Sequence, residues 1–449
     1  MAHTPAFQET IEYLYALQKH GIKLALSNSV LLMELAGNPH CTFPSVHVAG
    51  TNGKGSTSAF IANMLQSAGY RVGLYTSPHL VSFTERMRIN GTPVDEARVV
   101  ALAARVRDSY QHASPVAVPV PINPTFFEVT TTMAFQYFAE EAVDIAVIEV
   151  GMGGRLDSTN VILPKVSVIT NIDREHTEYL GETLTQIAQE KAGIIKPGVP
   201  VVTGVDQPEV IAVVERTAAS QNARVYRMPM EFSPEQVVSG FQQRFDYRGI
   251  EVHYQDLRIN MLGSYQVKNA CLALAAVECL RDAGMDIDET ALRQGLLQTR
   301  WEGRLERVSE RPDIYLDGAH NPASANMLRQ AVKEMRAGYR KLVLVIGILG
   351  DKDYRGILAE LVPLADAVVV TKPDYGRAMS VAALAAEVRK MHASVNIADT
   401  LALAIDRARE MASSDDLILV TGSLYVVGDA RALFQGESGG NSGLTGLKG

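Results

Sequence analysis

His47-Val48-Ala49-Gly50-Thr51-Asn52-Gly53-Lys54-Gly55-Ser56 runs from an apolar strand through a glycine-rich turn with one lysine into a helical pattern. Such a turn makes a phosphate cradle. Glycines let backbone N–H groups close around phosphoryl oxygens, Lys54 adds a point charge, and the next helix presents its partly positive N-terminus. A nucleoside triphosphate is the expected ligand. The pattern departs from the commonest phosphate loop: Val48 stands where its first glycine would be, and Gly55 follows the lysine, so that Ser56 serves one position late. The alternative is a tight strand-to-helix connection without a ligand, and other segments must decide.

Outward from this turn, short apolar runs alternate with amphipathic stretches, the pattern of a mostly parallel sheet covered by helices on both faces. Strands are expected over 45–49, 71–76, 144–150, 166–172 and 200–205, with helices over 54–68, 95–112, 128–141, 183–195 and 208–221. Residues 223–259 read as a small antiparallel insertion turning at Gly249, followed by helices over 266–283 and 288–298. A second cycle has strands over 313–316, 341–348, 367–371 and 416–421 and helices over 322–337, 354–364, 381–392 and 401–412. The expected fold is therefore α/β in two domains: an N-terminal P-loop-type, mostly parallel sheet flanked by helices, over 1–299, and a smaller C-terminal Rossmann-like domain over 300–435. The Gly-, Ser- and Asn-rich end, 436–449, reads as a disordered tail.

Composition narrows the function classes. The 42 basic and 50 acidic residues leave a formal charge of -8, so no basic field favours nucleic acid or an anionic membrane. Three cysteines, Cys41, Cys271 and Cys279, show no metal-ligand spacing, which favours a reducing, cytoplasmic setting. Neither a signal-like amino end nor a long apolar run is present, and no membrane partner is expected.

Polar clusters sit where strands give way to loops, the rim at which open α/β sheets bind ligands. Ser77 either reaches the metal of a bound nucleotide or caps a turn. Glu149 ends an apolar run, where a carboxylate is costly unless a cation meets it. Mg²⁺ fits, since it takes oxygen ligands and bridges triphosphate oxygens; a salt bridge to Arg155 is the alternative. His176 closes Asn171-Ile172-Asp173-Arg174-Glu175-His176 as a metal ligand or a helix cap, and Lys191 lies near a helix end, where the macrodipole alone would favour it. Asp317, His320 and Asn321 form a similar polar cluster in the second domain, which suggests a cleft shared by both.

Taken in order, Gly50 to Ser56, Thr76-Ser77-Pro78-His79-Leu80, Glu149 to Asp157, Asn171 to His176, Glu190-Lys191-Ala192-Gly193, Asp317 to Pro322 and Val420-Thr421-Gly422-Ser423 resemble the folylpolyglutamate synthase and dihydrofolate synthase family, relatives of the Mur ligases. The phosphate loop with glycine between lysine and serine is the form of that family. The resemblance implies that Thr51, Asn52, Gly53, Lys54, Gly55 and Ser56 hold ATP, with Asn269, Arg304, Asp317 and His320 completing its site. It implies Ser77, Glu149 and His176 as ligands of Mg²⁺, with two ions expected, and Lys191 as a lysine that becomes carbamylated. Lys54, Glu149, His176 and Lys191 form the implied catalytic set. Leu24 and Ala25, Phe126, Phe127 and Glu128, and Leu156, Asp157 and Ser158 match pterin-contacting segments, although Ser27 and Asn28 replace the usual arginine and acidic residue after the first of these. The implied reaction is phosphorylation of a carboxylate of dihydropteroate or a reduced folate, then attack by the amine of L-glutamate, in a usually monomeric enzyme. The alternatives are a monofunctional folylpolyglutamate synthase, a Mur-type ligase, a small-molecule kinase, or a nucleotide-binding regulator; the short amino-terminal extension argues against the Mur-type ligase, and retained Lys54, Glu149 and His176 argue against the regulator.

Overall fold

Val- and Ile-rich runs bounded by turns become strands buried on both faces, as parallel sheets require. The computed structural model describes residues 3–21, 25–113 and 122–436. Leu24 and the expected tail beyond Gly436 lie outside the described residues.

The N-terminal lobe carries β1 (Ser45–Ala49), β2 (Val72–Tyr75), β3 (Met87–Ile89), β4 (Thr92–Pro93), β5 (Ile145–Glu149), β6 (Val166–Ile169), β7 (Val201–Thr203) and β8 (Val225–Arg227). They form one eight-stranded sheet in the order β4-β3-β2-β5-β1-β6-β7-β8, parallel from β2 to β8. Next come β9 (Ser233–Val238), β10 (Gln243–Arg248) and β11 (His253–Ile259), an antiparallel three-stranded sheet. Helix Ser264–Asp282 packs on β6 and β7 with one side and on β9 and β10 with another, so it is apolar nearly all round rather than amphipathic. The phosphate-loop helix Lys54–Ser67 packs between that helix, helix Glu289–Gln298 and the main sheet, and is buried in the same way.

The C-terminal lobe holds β12 (Glu306–Ser309), β13 (Asp313–Asp317), β14 (Leu342–Ile346), β15 (Ala367–Val370), β16 (Val395–Ile397) and β17 (Leu417–Thr421), in the order β12-β13-β17-β14-β15-β16. Only β12 is antiparallel to its neighbour. The lobes touch through apolar side chains: Leu80 and Val81 join the cluster containing Val426 and Val427, and Leu262 joins the one containing Leu305.

Every long expected strand is present. One expectation needs correcting: residues 225–227, read as part of the antiparallel insertion, are a parallel edge strand of the main sheet. The expected turn at Gly249 closes with its N–H donating to Val252 O at 2.7 Å. The strands absent from the sequence reading, β3, β4, β12 and β16, are two to four residues long, lie at or next to sheet edges and are partly exposed, so their apolar signal is weak. Helix Leu424–Phe434, capped by Ser423, was also not read from the sequence.

Candidate functional site

The glycines of the phosphate loop answer to close contacts. Gly50 takes a φ of 149°, and a Cβ there would lie 1.8 Å from Thr170 Oγ1; at Gly53, with φ 84°, it would lie 2.5 Å from Asn269 Oδ1. Gly55, the unusual residue after the lysine, is crossed by the Trp301 indole, whose Nε1 would sit 2.7 Å from an added Cβ. The loop is stitched to the segment after β6. Thr51 N–H donates to Asn171 O at 2.9 Å, Asn52 N–H to Asn171 Oδ1 at 2.8 Å, and Asp173 N–H to Thr51 Oγ1 at 3.0 Å.

Two lysines converge on this loop. Lys54 Nζ donates to Gly50 O and Thr51 O, each at 3.1 Å, and Lys191 Nζ donates from behind to Gly50 O at 2.8 Å. Lys191 is buried, and burial, reinforced by the Lys54 charge, pulls its ammonium down to about 7. Glu149 ends β5 beside the loop, with Val48 as its register partner on β1. Ser77 N–H donates to its Oε2 at 3.2 Å, and burial pushes the carboxyl up to about 7 against the pull of Lys54. The expected alternative, an ion pair of Glu149 with Arg155, is not made; Arg155 pairs with Glu190 at 2.8 Å. His176 is exposed to the cleft, where desolvation by the surrounding walls, with the Lys352, Lys54 and Lys191 charges, lowers its imidazole to about 4. It stands at the N-cap position of helix Thr177–Leu180 without making a side-chain cap bond.

The C-terminal lobe supplies the facing wall. Asp317, at the end of β13, accepts from Leu305 N–H at 3.0 Å and Ala319 N–H at 2.9 Å, so both oxygens brace the backbone turn. Asn321 caps helix Pro322–Arg336 through its Oδ1, and its Nδ2 reaches Asn52 Oδ1 at 3.2 Å across the lobes. His320 Nδ1 lies 2.8 Å from Gly318 O and its Nε2 3.1 Å from Glu175 Oε1. The Asn269 amide is oriented by Gln266 Oε1 at 2.8 Å.

One cleft of about 450 Å³ is lined by Thr51, Asn52, Gly53, Lys54, Gly55, Ser56, Ser77, Glu149, His176, Asn269, Arg304, Asp317 and His320. Lys191 lies behind its wall. Sequence reasoning missed Asn171, Asp173 and Glu175 as contributors, although all three stand in the motif quoted for His176. In Asp173, burial together with Asp206 and Glu175 pushes the carboxyl up to about 6.

The expected substrate residues within the described residues do not line this cleft. The Phe126 ring stacks on Tyr15 at 5.6 Å and under the Arg86 guanidinium at 5.1 Å, and Phe127 covers Gly151 on the cleft wall. The Glu128 carboxylate is engaged by Thr125 N–H at 2.6 Å in a capping box and by Asn28 Nδ2 at 3.3 Å. Asp157 accepts from Met152 N–H at 2.8 Å and from Thr159 N–H at 3.0 Å, tying its own loop and capping the short helix Ser158–Val161. Leu156 is half-buried, Ser158 is buried and Ala25 is exposed.

The chemistry of the donor set suits Mg²⁺. Glu149 is a buried carboxylate with a Ser77 N–H as its hydrogen-bond donor, Ser77 and His176 line the same cleft, and the lowered imidazole of His176 is neutral at physiological pH. Among the described residues no group of three His, Cys, Asp or Glu side chains forms a ready-made metal cage.

Residues 48–277 match the Mur ligase middle domain, and residues 303–424 match the Mur ligase glutamate ligase domain. A dihydrofolate synthase/folylpolyglutamate synthase of Bacillus subtilis is 37% identical over 433 residues, covering 95% of this chain and 98% of the relative. Folylpolyglutamate synthase of Mycobacterium tuberculosis complexed with ADP superposes with a TM-score of 0.88 at 36% identity, covering 95% of this chain and 99% of the other. Escherichia coli FolC in complex with DHPP and ADP superposes with a TM-score of 0.85 at 30% identity, covering 96% and 98%. Fold, ordered motifs and full-length similarity agree, and the chain belongs to the dihydrofolate synthase/folylpolyglutamate synthase family of Mur ligases.

Proposed function

We propose that this ATP-dependent ligase joins L-glutamate to dihydropteroate and to the γ-carboxylate of reduced folates, acting as a cytoplasmic monomer, with domains over 1–299 and 300–435. One observation carries the reading: Lys54 and Glu149 of one lobe and Asp317 and His320 of the other line a single cleft. The relatives named for both synthase activities, and the neighbour bound to DHPP and ADP, support the substrate class.

A carboxylate resists attack by an amine because oxide would have to leave, whereas phosphate leaves readily once ATP has phosphorylated the acid. The γ-phosphoryl passes to the carboxylate oxygen, ADP departs, the glutamate nitrogen attacks the acyl carbon, and inorganic phosphate and a proton are released. No side chain among the residues assigned here is needed as a covalent nucleophile, so catalysis rests on positioning and charge. The phosphate-loop amides and Lys54 hold the triphosphate, and Asn269 and Arg304 orient it. Ser77, Glu149 and His176 would hold Mg²⁺, two ions in all, which neutralises charge on the phosphoryl oxygens. The depressed imidazole of His176 leaves its ring nitrogen lone pair available near neutral pH.

Lys191 is suited to carbamylation, because its depressed ammonium leaves much of the amine neutral and nucleophilic at pH 7–8. The nitrogen bonds to the carbon of CO₂ and loses a proton, turning a buried cation into an anion beside the loop. A carbamate carbon signal after exposure to ¹³C-bicarbonate, absent in Lys191→Ala, is expected; no signal in the intact protein removes the modification.

The decisive assay supplies ATP, Mg²⁺ and glutamate, adds dihydropteroate and tetrahydrofolate separately, and follows ADP release and product mass. ADP release that requires both glutamate and the pterin acid is expected, with products one glutamate heavier. ADP release without an amino acid would indicate a kinase, and none with either pterin would overturn the reading. In the same assay Glu149→Gln should lower turnover by about 10²-fold while retaining nucleotide affinity.

A further inference from the structure

Glu175 has no counterpart among the residues assigned above to ATP, metal or pterin, yet two polar contacts between the lobes converge on it and a third ties one of the same partners to the phosphate loop. It follows β6 in the N-terminal lobe, and its side chain is only 10% exposed. Its Oε1 lies 3.1 Å from His320 Nε2 and 3.1 Å from Asn321 Nδ2, both of the C-terminal lobe. The same Asn321 nitrogen lies 3.2 Å from Asn52 Oδ1 in the phosphate loop.

The two partners are rigid. The other ring nitrogen of His320 is occupied by Gly318 O at 2.8 Å, and Asn321 Oδ1 accepts from Ser324 N–H at 2.8 Å as the helix cap. Neither side chain can turn toward Glu175 independently of its lobe, so these contacts form only when the lobes come together in one arrangement. Glu175 is itself restrained, since its chain neighbours, Asn171 and Asp173, are stitched to Thr51 and Asn52. It also directly precedes His176 on the cleft wall.

We propose that Glu175 is a positioning residue: its carboxylate latches His320 and Asn321, and so registers the C-terminal lobe against the phosphate loop and the His176 segment. The latch rests on the ligase reading only for the reaction it serves. Its loss leaves the phosphate loop intact but reduces the fraction of molecules in which both walls face the nucleotide. The signature is therefore a fall in kcat that exceeds any rise in the KM for ATP, because the phosphate loop still holds the nucleotide while the C-terminal wall faces it in fewer molecules.

The test uses the full-length protein with Glu175→Ala, His320→Ala and the double variant. The expected result for E175A is a kcat lower by about tenfold or more, the scale set by losing its two charge-assisted contacts across the lobes. Its KM for ATP should change by less than about threefold, and its thermal midpoint should match that of the parent. The double variant should lose less than the sum of the two single losses, because Glu175→Ala already removes the His320 contact together with the one to Asn321. Small-angle scattering with AMPPCP bound should give a larger radius of gyration for E175A than for the unaltered protein. An unchanged kcat, fully additive losses, or identical scattering profiles would each overturn the latch. Should E175A fail to fold, E175Q is read by the same criteria. If the unaltered protein shows no glutamate-dependent ADP release, the ligase reading falls, while scattering still judges the latch.

Discussion

His47 lies in the middle of β1, buried on every side, with Nε2 2.9 Å from Thr159 Oγ1. Thr159 in turn donates to Asp157 Oδ1 at 2.5 Å, so its oxygen accepts from His47 and the proton must sit on Nε2. Burial, with the Lys196 charge, pushes this imidazole down to about 3. The unfolded chain binds a proton near pH 6.5 and the folded one does not until about pH 3, so stability rises with pH across that window and is lost as pH falls through it. Between pH 6 and 4, His47→Gln should remove a slope of about 1 kcal/mol per pH unit from the urea-unfolding free energy. An identical slope in parent and variant would count against this histidine as the source. Asp157 marks a limit of legibility at this scale. Its motif was readable, but its engagement by Met152 and Thr159 backbone groups was not, because those partners are fixed by how the loop folds back.

Among the elements, the phosphate-loop helix is held by closeness rather than by large side chains. Gly295 on helix Glu289–Gln298 faces it, and a Cβ there would lie 2.5 Å from Met64 Cα. Gly295→Ala should therefore force the two helices apart and destabilise the protein by about 1–3 kcal/mol, read as a lower denaturant midpoint. An unchanged midpoint would mean that the helix pair has slack. Strand β1 and the turn after it were legible because an apolar run ending in glycines has few other readings. Helix Ser264–Asp282 was legible as a helix, but not its sandwiching between two sheets, since burial all round erases the polar stripe that would orient it. Gly55 shows the same division: its place in the motif was plain, while the reason for it is the Trp301 indole, some 250 residues away in sequence.

For the whole molecule, the connection between the lobes is itself part of the site. Trp301, the single tryptophan, lies on Gly55 and 5.3 Å from the Arg88 guanidinium, while Glu302 pairs with Arg88 at 3.4 Å and with Arg431 at 3.7 Å. Nucleotide in the phosphate loop should therefore alter the surroundings of this indole. Adding ADP with Mg²⁺ is expected to shift or quench the intrinsic tryptophan emission, and a titration without change would show that loop and connector are uncoupled. By itself the sequence determined the α/β alternation, the two lobes, the phosphate loop and the polar clusters at strand ends, because each is written in local periodicity and residue type. Only the tertiary structure decided which clusters share a cleft, that the Glu128 and Asp157 carboxylates serve caps, and that Glu175 spans the lobes. Those outcomes depend on distances between residues far apart in the chain, which packing alone sets.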